Sequence, residues 1–127
     1  QESKTIAIVG LSPNQARDSN SVAIYLRDNG YTIIPVNPKV DEVLGLRCYP
    51  SLSDIPTKID IVDVFRRSAD VLPITEAAIA IKAKVLWLQL DVINKQAAAL
   101  AEKAGLDVVM NECTARLHSR LENRGLL

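Results

Sequence analysis

The sequence predicts an α/β fold: a parallel sheet covered by helices on both faces. Two observations carry that prediction. Five short runs rich in Val and Ile alternate along the chain with stretches of helical period. The runs are apolar almost throughout, instead of alternating apolar with polar, as strands buried on both faces must be.

The elements follow in order. Thr5 to Val9 is a short apolar run ended by Gly10, and reads as the first strand. Residues 20–29 place Val22, Ala23 and Leu26 at helical spacing, with Gly30 as the C-cap. Tyr31 to Val36 is the second strand, stopped by Asn37-Pro38. Asp41 to Gly45 reads as a turn or short helical piece, and so does Ser51 to Ile55, between Pro50 and Pro56. Ile59 to Phe65 is the third strand. Pro73 suits the first turn of a helix running to about Ala83. Lys84 to Leu90 is the fourth strand. Asn94 caps an alanine-rich helix through Lys103, which Gly105 ends. Leu106 to Met110 is the fifth strand, and a last helix is expected from about Glu112 to Leu121. Together these give a single Rossmann-like three-layer domain over residues 1–127, with an expected strand order 3-2-1-4-5. Such sheets bind ligands beyond the carboxyl ends of the strands, where the order reverses. The loops that matter then begin at Gly10, Asn37, Phe65 and Gln89.

Composition narrows the function. The chain has 127 residues, enough for one core without disulfide staples. Lysine plus arginine equals aspartate plus glutamate at 15 each, which argues against nucleic acid as the partner. No run of 18 apolar residues and no signal peptide stands in the sequence, so neither a membrane nor export is expected. The chain opens on Gln1, so a start or leading helix is expected ahead of it. Cys48 and Cys113 form no metal or redox spacing, and with His118 the lone histidine no metal cluster is expected. Both cysteines read as buried small apolar groups, and the setting as cytoplasmic. There is no G-x-S-x-G and no nucleophile with its base. Asp60 and Asp63 fall on different faces of a strand and make no acid/base pair. No catalytic constellation is read from the sequence.

Three loops point to the ligand. After the first strand, Gly10 permits a tight turn into a helix whose N-terminal N–H groups favour an anion. Ser12 and Ser21 add hydroxyl donors, and Arg17 a guanidinium suited to phosphate. The reading against this is plain: Gly10 turns the chain, and Ser12, Ser19 and Asn20 cap. The full G-x-G-x-x-G fingerprint is absent, because Gly10 is the one glycine in the turn. At the tip of the second strand, Val36-Asn37-Pro38-Lys39 replaces the acid that would hold an NAD ribose. A lysine there suits a phosphorylated ribose, as in NADP or coenzyme A. After the third strand, Phe65 offers a ring for adenine, and Arg66, Arg67 and Ser68 follow. Gln89 ends the fourth strand, and Trp87 beside it reads as core.

The run VGLSPNQARDSNSVAIYLRDNGYTIIPVNPK, with YPSL, IDIVDVFRRSADV and VLWLQLDVIN, resembles the small stand-alone CoA-binding domain proteins. Their fold is similar to the CoA-binding domain of the succinyl-CoA synthetase α subunit. The resemblance runs from about Lys4 to Leu121. It implies that Gly10, Leu11 and Ser12 meet the phosphates of CoA with Arg17 and Ser21. It places Val36, Asn37, Pro38 and Lys39 beside the adenosine phosphate, and adds Phe65, Arg66, Arg67 and Gln89 to the site. The chain departs from its relatives at Asn20-Ser21-Val22, where an aromatic or basic residue is common, and at Asp91, where glycine is common. An acid at Asp91 would repel phosphate or narrow the crevice. The synthetase's phosphorylated histidine lies outside this domain, so no residue here inherits it. The expected ligand is CoA or an acyl-CoA, bound without catalysis. The alternatives are an NADP-linked sensor, a sensor forming a mixed disulfide through Cys113, and a non-catalytic partner of an acyl-CoA ligase.

Overall fold

The computed structural model describes residues 5–14, 18–89 and 92–112. In chain order the elements are β1 (Thr5–Val9), α1 (Asp18–Asp28), β2 (Thr32–Val36), β3 (Glu42–Val43), β4 (Leu46–Arg47), β5 (Ile61–Val64), α2 (Val71–Ala80), β6 (Val85–Gln89), α3 (Lys95–Lys103) and β7 (Asp107–Glu112). Short 3-10 turns at Leu52–Asp54 and Ser68–Asp70 precede β5 and α2. The expected last helix, with Cys113 and His118, lies outside the described residues, as do Arg17 and Asp91.

The five apolar runs form one parallel sheet of order β2-β1-β5-β6-β7. Period-2 side chains split its core into two layers. Ile6, Ile8, Ile61, Val85 and Trp87 pack on one face with Ala23 and Leu26 of α1. Ala7, Val9, Val62, Val64, Leu86 and Leu88 pack on the other with Val71 and Ala78 of α2 and Ala97 and Ala101 of α3. Trp87 is 1% exposed, so it belongs to the core as expected. The fold is thus α/β and Rossmann-like, with helices on both faces.

The strand order corrects the expectation. Counting the five sheet strands along the chain, it is 2-1-3-4-5 and not 3-2-1-4-5: β5 pairs with β1, and β2 lies at the edge. Pro35 gives the physical reason. A proline has no N–H for a ladder and is confined to edge strands with its nitrogen facing outward. The carbonyl of Pro35 faces outward, accepting from Tyr49 N–H at 3.0 Å, while that of Val36 faces inward, accepting from Gly10 N–H at 2.8 Å. N–H and C=O of one residue point the same way, so the missing donor lies on the outer edge. The piece expected as a turn or helix at Asp41 to Gly45 holds a turn, at Leu44 and Gly45, which joins β3 and β4 into an antiparallel hairpin.

The three described α-helices end in the same way. Gly30, Lys82 and Gly105 each adopt positive φ (92°, 60° and 96°), and the next residue bonds back five positions: Tyr31 to Leu26, Ala83 to Ala78, Leu106 to Ala101. This is the Schellman arrangement, which favours glycine. Lys82 is the one exception of the three, and α2 stops at Ala80 instead of about Ala83 because Lys82 takes the left-handed conformation that ends it. Lys82→Gly is therefore expected to stabilise the protein by about 0.5 kcal/mol, the relief of the left-handed backbone less the extra entropy of the unfolded chain. Urea denaturation would measure this, and a loss of stability would show that the Lys82 side chain contributes more than its backbone costs. Asn94 caps α3 as expected, its side-chain oxygen accepting from Ala97 N–H at 2.9 Å.

Candidate functional site

The order 2-1-3-4-5 sets the topological switch point between β1 and β5, where a doubly wound sheet opens a crevice. The loops after Val9 and Val64 leave this point side by side. Phe65 N–H donates to Val9 O at 2.9 Å. Gly10 turns at φ +89°, and a Cβ on it would lie 2.5 Å from the carbonyl oxygen of Phe65. Glycine is required here both for the backbone angle and for the close approach of the two loops.

Beyond Gly10 the loop is held by its own polar groups. Ser12 N–H donates to Ser19 Oγ at 3.0 Å, Ser12 Oγ accepts from Asn14 N–H at 3.1 Å, and Asn20 Nδ2 donates to Ser12 O at 2.9 Å. Leu11 is fully buried and anchors the turn in the α1-side core, a burial that contributes roughly 2 kcal/mol. Asn37 ties this loop to the end of β2. Its Nδ2 donates to Leu11 O at 3.0 Å and its Oδ1 accepts from Lys39 N–H at 2.9 Å. Its backbone N–H reaches Tyr49 O at 2.9 Å, and Cys48 Sγ donates to Asn37 O at 3.5 Å. Burial pushes the Cys48 thiol up and the nearby charge of Asp41 adds to this, with the Asn37 backbone working against them.

A cleft of about 360 Å³ opens on the α2 side of these strand ends. Val9, Gly10, Val36 and Pro38 form its floor, and Pro50, Ser51 and Leu52 one wall. Arg66, Ala69, Asp70, Pro73, Ile74 and Ala77, from the loop after β5 and the first turns of α2, form the other. The lining is apolar apart from Ser51 and one charged pair, Arg66 and Asp70. Arg66 Nη2 lies 3.7 Å and Arg67 Nε 3.3 Å from the same Asp70 oxygen.

Of the residues singled out from sequence, the cleft gathers Gly10, Val36, Pro38 and Arg66. Ser21 and Lys39 are exposed, Ser12 is half-buried, and Arg67 extends into solvent. Phe65 packs its ring against the α1-side core, across the sheet from the cleft walls. Gln89 is buried, and its Nε2 donates to Asp63 Oδ1 at 2.7 Å. Asp63 is itself fully buried, with Oδ2 unpartnered among the described residues, and burial holds its carboxyl well above the usual range. Asp60 stands apart at the amino end of the sheet, accepting from Thr5 N–H at 2.9 Å. The α2 wall and Asp70 were not singled out, although Asp70 stands four residues after Arg66, the spacing of a helical ion pair.

A Rossmann-like sheet with a glycine turn and a cleft at its switch point defines a class of α/β domains that bind small ligands at the strand ends. Within that class this chain belongs to the CoA binding domain family, whose profile matches residues 4–119. It is 41% identical over 119 residues to the uncharacterized protein YneT of Bacillus subtilis, a match spanning 94% of this chain and 88% of that one. It is 27% identical to the ADP-forming acetate–CoA ligase I of Archaeoglobus fulgidus, over 93% of this chain but only 19% of the ligase. A hypothetical protein from Pyrococcus horikoshii has a solved structure that superposes with a TM-score of 0.89 at 48% identity, covering 94% of this chain and 84% of that one. No helix among the described residues is long and apolar enough to cross a membrane.

Proposed function

We propose that this protein binds coenzyme A or an acyl-CoA at the carboxyl ends of β1, β2 and β5, without catalysis of its own. The observation that carries this reading is the cleft at Gly10, where the family's glycine turn, the Val36–Pro38 strand tip and Arg66 meet. Its apolar floor suits a base and an aliphatic arm, which need burial more than charge. The phosphates would lie towards Ser12 and the start of α1, with Arg17 and Ser21 beside them, in reach of the helix N-terminus. Lys39, exposed at the rim next to Pro38, would take the ribose phosphate. Arg66 and Arg67 would supply charge from the opposite loop. The same reading puts the protein in the cytoplasm, where the buried thiol of Cys48 stays reduced.

Isothermal titration with CoA, dephospho-CoA, NAD and NADP tests it. CoA is expected to bind, and dephospho-CoA to bind about tenfold more weakly, as the loss of one charge-assisted contact implies. Lys39→Ala should erase that difference. Failure of CoA to bind at millimolar concentration would sink the reading, and preference for NADP would replace it with the nucleotide-sensor alternative.

A second reading has its own support, since an acetate–CoA ligase carries a related segment within a longer chain. The protein would then act as the CoA-binding partner of a separate acyl-CoA enzyme. Affinity capture from the source organism would return such an enzyme in stoichiometric amount, whereas an isolated binder would return none.

A further inference from the structure

Asp70 occupies the capping position of α2 but does not cap it. Its own backbone is already helical (φ −94°, ψ −3°), and its side chain accepts nothing from the helix. A capping carboxylate accepts from the N–H two or three residues on. Three on is Pro73, which has no N–H to give. The carboxylate turns instead to the preceding loop, 3.3 Å from Arg67 Nε and 3.7 Å from Arg66 Nη2. Arg66 and Asp70 both line the cleft. The cation offered to a ligand there is thus already matched by an anion of the protein.

We propose that Asp70 is a competing anion built into the site: it holds Arg66 at the cleft wall and yields it to a phosphate group of the ligand. This rests on the CoA reading above and adds the residue that sets its affinity. The exchange needs little free energy. The side chains of Arg66 and Asp70 are 39% and 31% exposed, and ion pairs open to water are weak. A phosphate outbids a carboxylate because it brings more charge and more acceptor oxygens to a forked guanidinium. A ligand bearing only a carboxylate gains nothing by the exchange. The Arg66–Asp70 pair therefore selects for phosphorylated ligands while keeping their binding reversible.

The test is titration of CoA into the wild type, Asp70→Asn, Arg66→Gln and the double variant, at low and at high salt. Asp70→Ser serves as a second removal of the charge, should the amide disturb folding. Asp70→Asn is expected to tighten CoA by about three- to fivefold at low salt, the scale of one exposed ion pair. The gain should shrink at high salt, and it should vanish in the Arg66→Gln background. Weaker or unchanged binding by both Asp70 variants overturns the proposal and leaves the CoA reading standing, because it would make Asp70 a support for Arg66 or a bystander. A gain that persists without Arg66 overturns it too. Absence of CoA binding by the wild type removes both readings, and is distinguished because it needs no variant.

Discussion

Gly10→Ala is expected to destabilise the protein by roughly 2–4 kcal/mol and lower its melting temperature by roughly 10 °C. Two costs combine. An L-residue at φ +89° is strained by about 1 kcal/mol wherever it occurs. In addition, the new Cβ would stand 2.5 Å from the Phe65 carbonyl oxygen and 3.0 Å from Arg66 Cδ. The first contact is with backbone, which cannot swing aside like the end of a side chain, so the two strand-end loops must separate. Gly30→Ala is the control: its φ is +92°, and a Cβ there meets nothing within 4 Å. It should cost only the strain. Thermal and urea melts of the two variants measure the difference. If they prove equally stable, the close approach of the two loops is not energetically significant. Because Arg66 follows Phe65, a parted crevice should also weaken the proposed binding of CoA by tenfold or more, as small misplacements of binding groups do.

Asp63→Asn is expected to leave the protein as stable as the wild type near pH 4 and more stable than it at higher pH. The Asp63 carboxyl is held well above its usual value of 3.8, chiefly by burial, with the Gln89 hydrogen bond pulling the other way. The unfolded chain gives up this proton at about pH 4, whereas the folded chain keeps it to a higher pH. Across that window the folded state binds more protons, so stability falls as pH rises, by about 1.4 kcal/mol per pH unit from this group. The stabilisation is complete below the unfolded value and is lost up to the folded one. An amide of the same shape keeps an oxygen for Gln89 Nε2 and has no proton to lose. Urea melts at several pH values should therefore show a gap between the two proteins that widens upward from about pH 4. Parallel profiles would mean that Asp63 is ionised in the fold and paired in some other way.

The elements of the fold were legible because their signals are local. Apolar runs ended by Gly10 or Asn37-Pro38 mark strands, Asn94 marks a helix start, and Gly30 and Gly105 mark helix ends. What depended on the third dimension was harder to read. Pro35 did carry the edge position of β2, but in one missing N–H inside an otherwise apolar run. The end of α2 was misplaced because Lys82 takes a conformation that a lysine does not advertise. Part of the cleft was visible, in Gly10, Val36, Pro38 and Arg66, since strand ends converge in any parallel sheet. The α2 wall was not, because Ile74 and Ala77 read as ordinary helix-core residues until β5 is known to lie beside β1. Gln89 sits at a strand tip, as the sequence suggests. Its engagement with Asp63 was invisible, because it depends on two strands lying side by side.

The outward-facing nitrogen of Pro35 also bears on self-association. An open edge strand is a template on which another chain can add a strand. On β2 the proline withholds one donor, and Tyr49 already occupies the Pro35 carbonyl and the Asn37 N–H. The rungs nearest the cleft are therefore closed to an incoming strand, so the side of the sheet that carries the candidate ligand site is also protected against edge-to-edge aggregation.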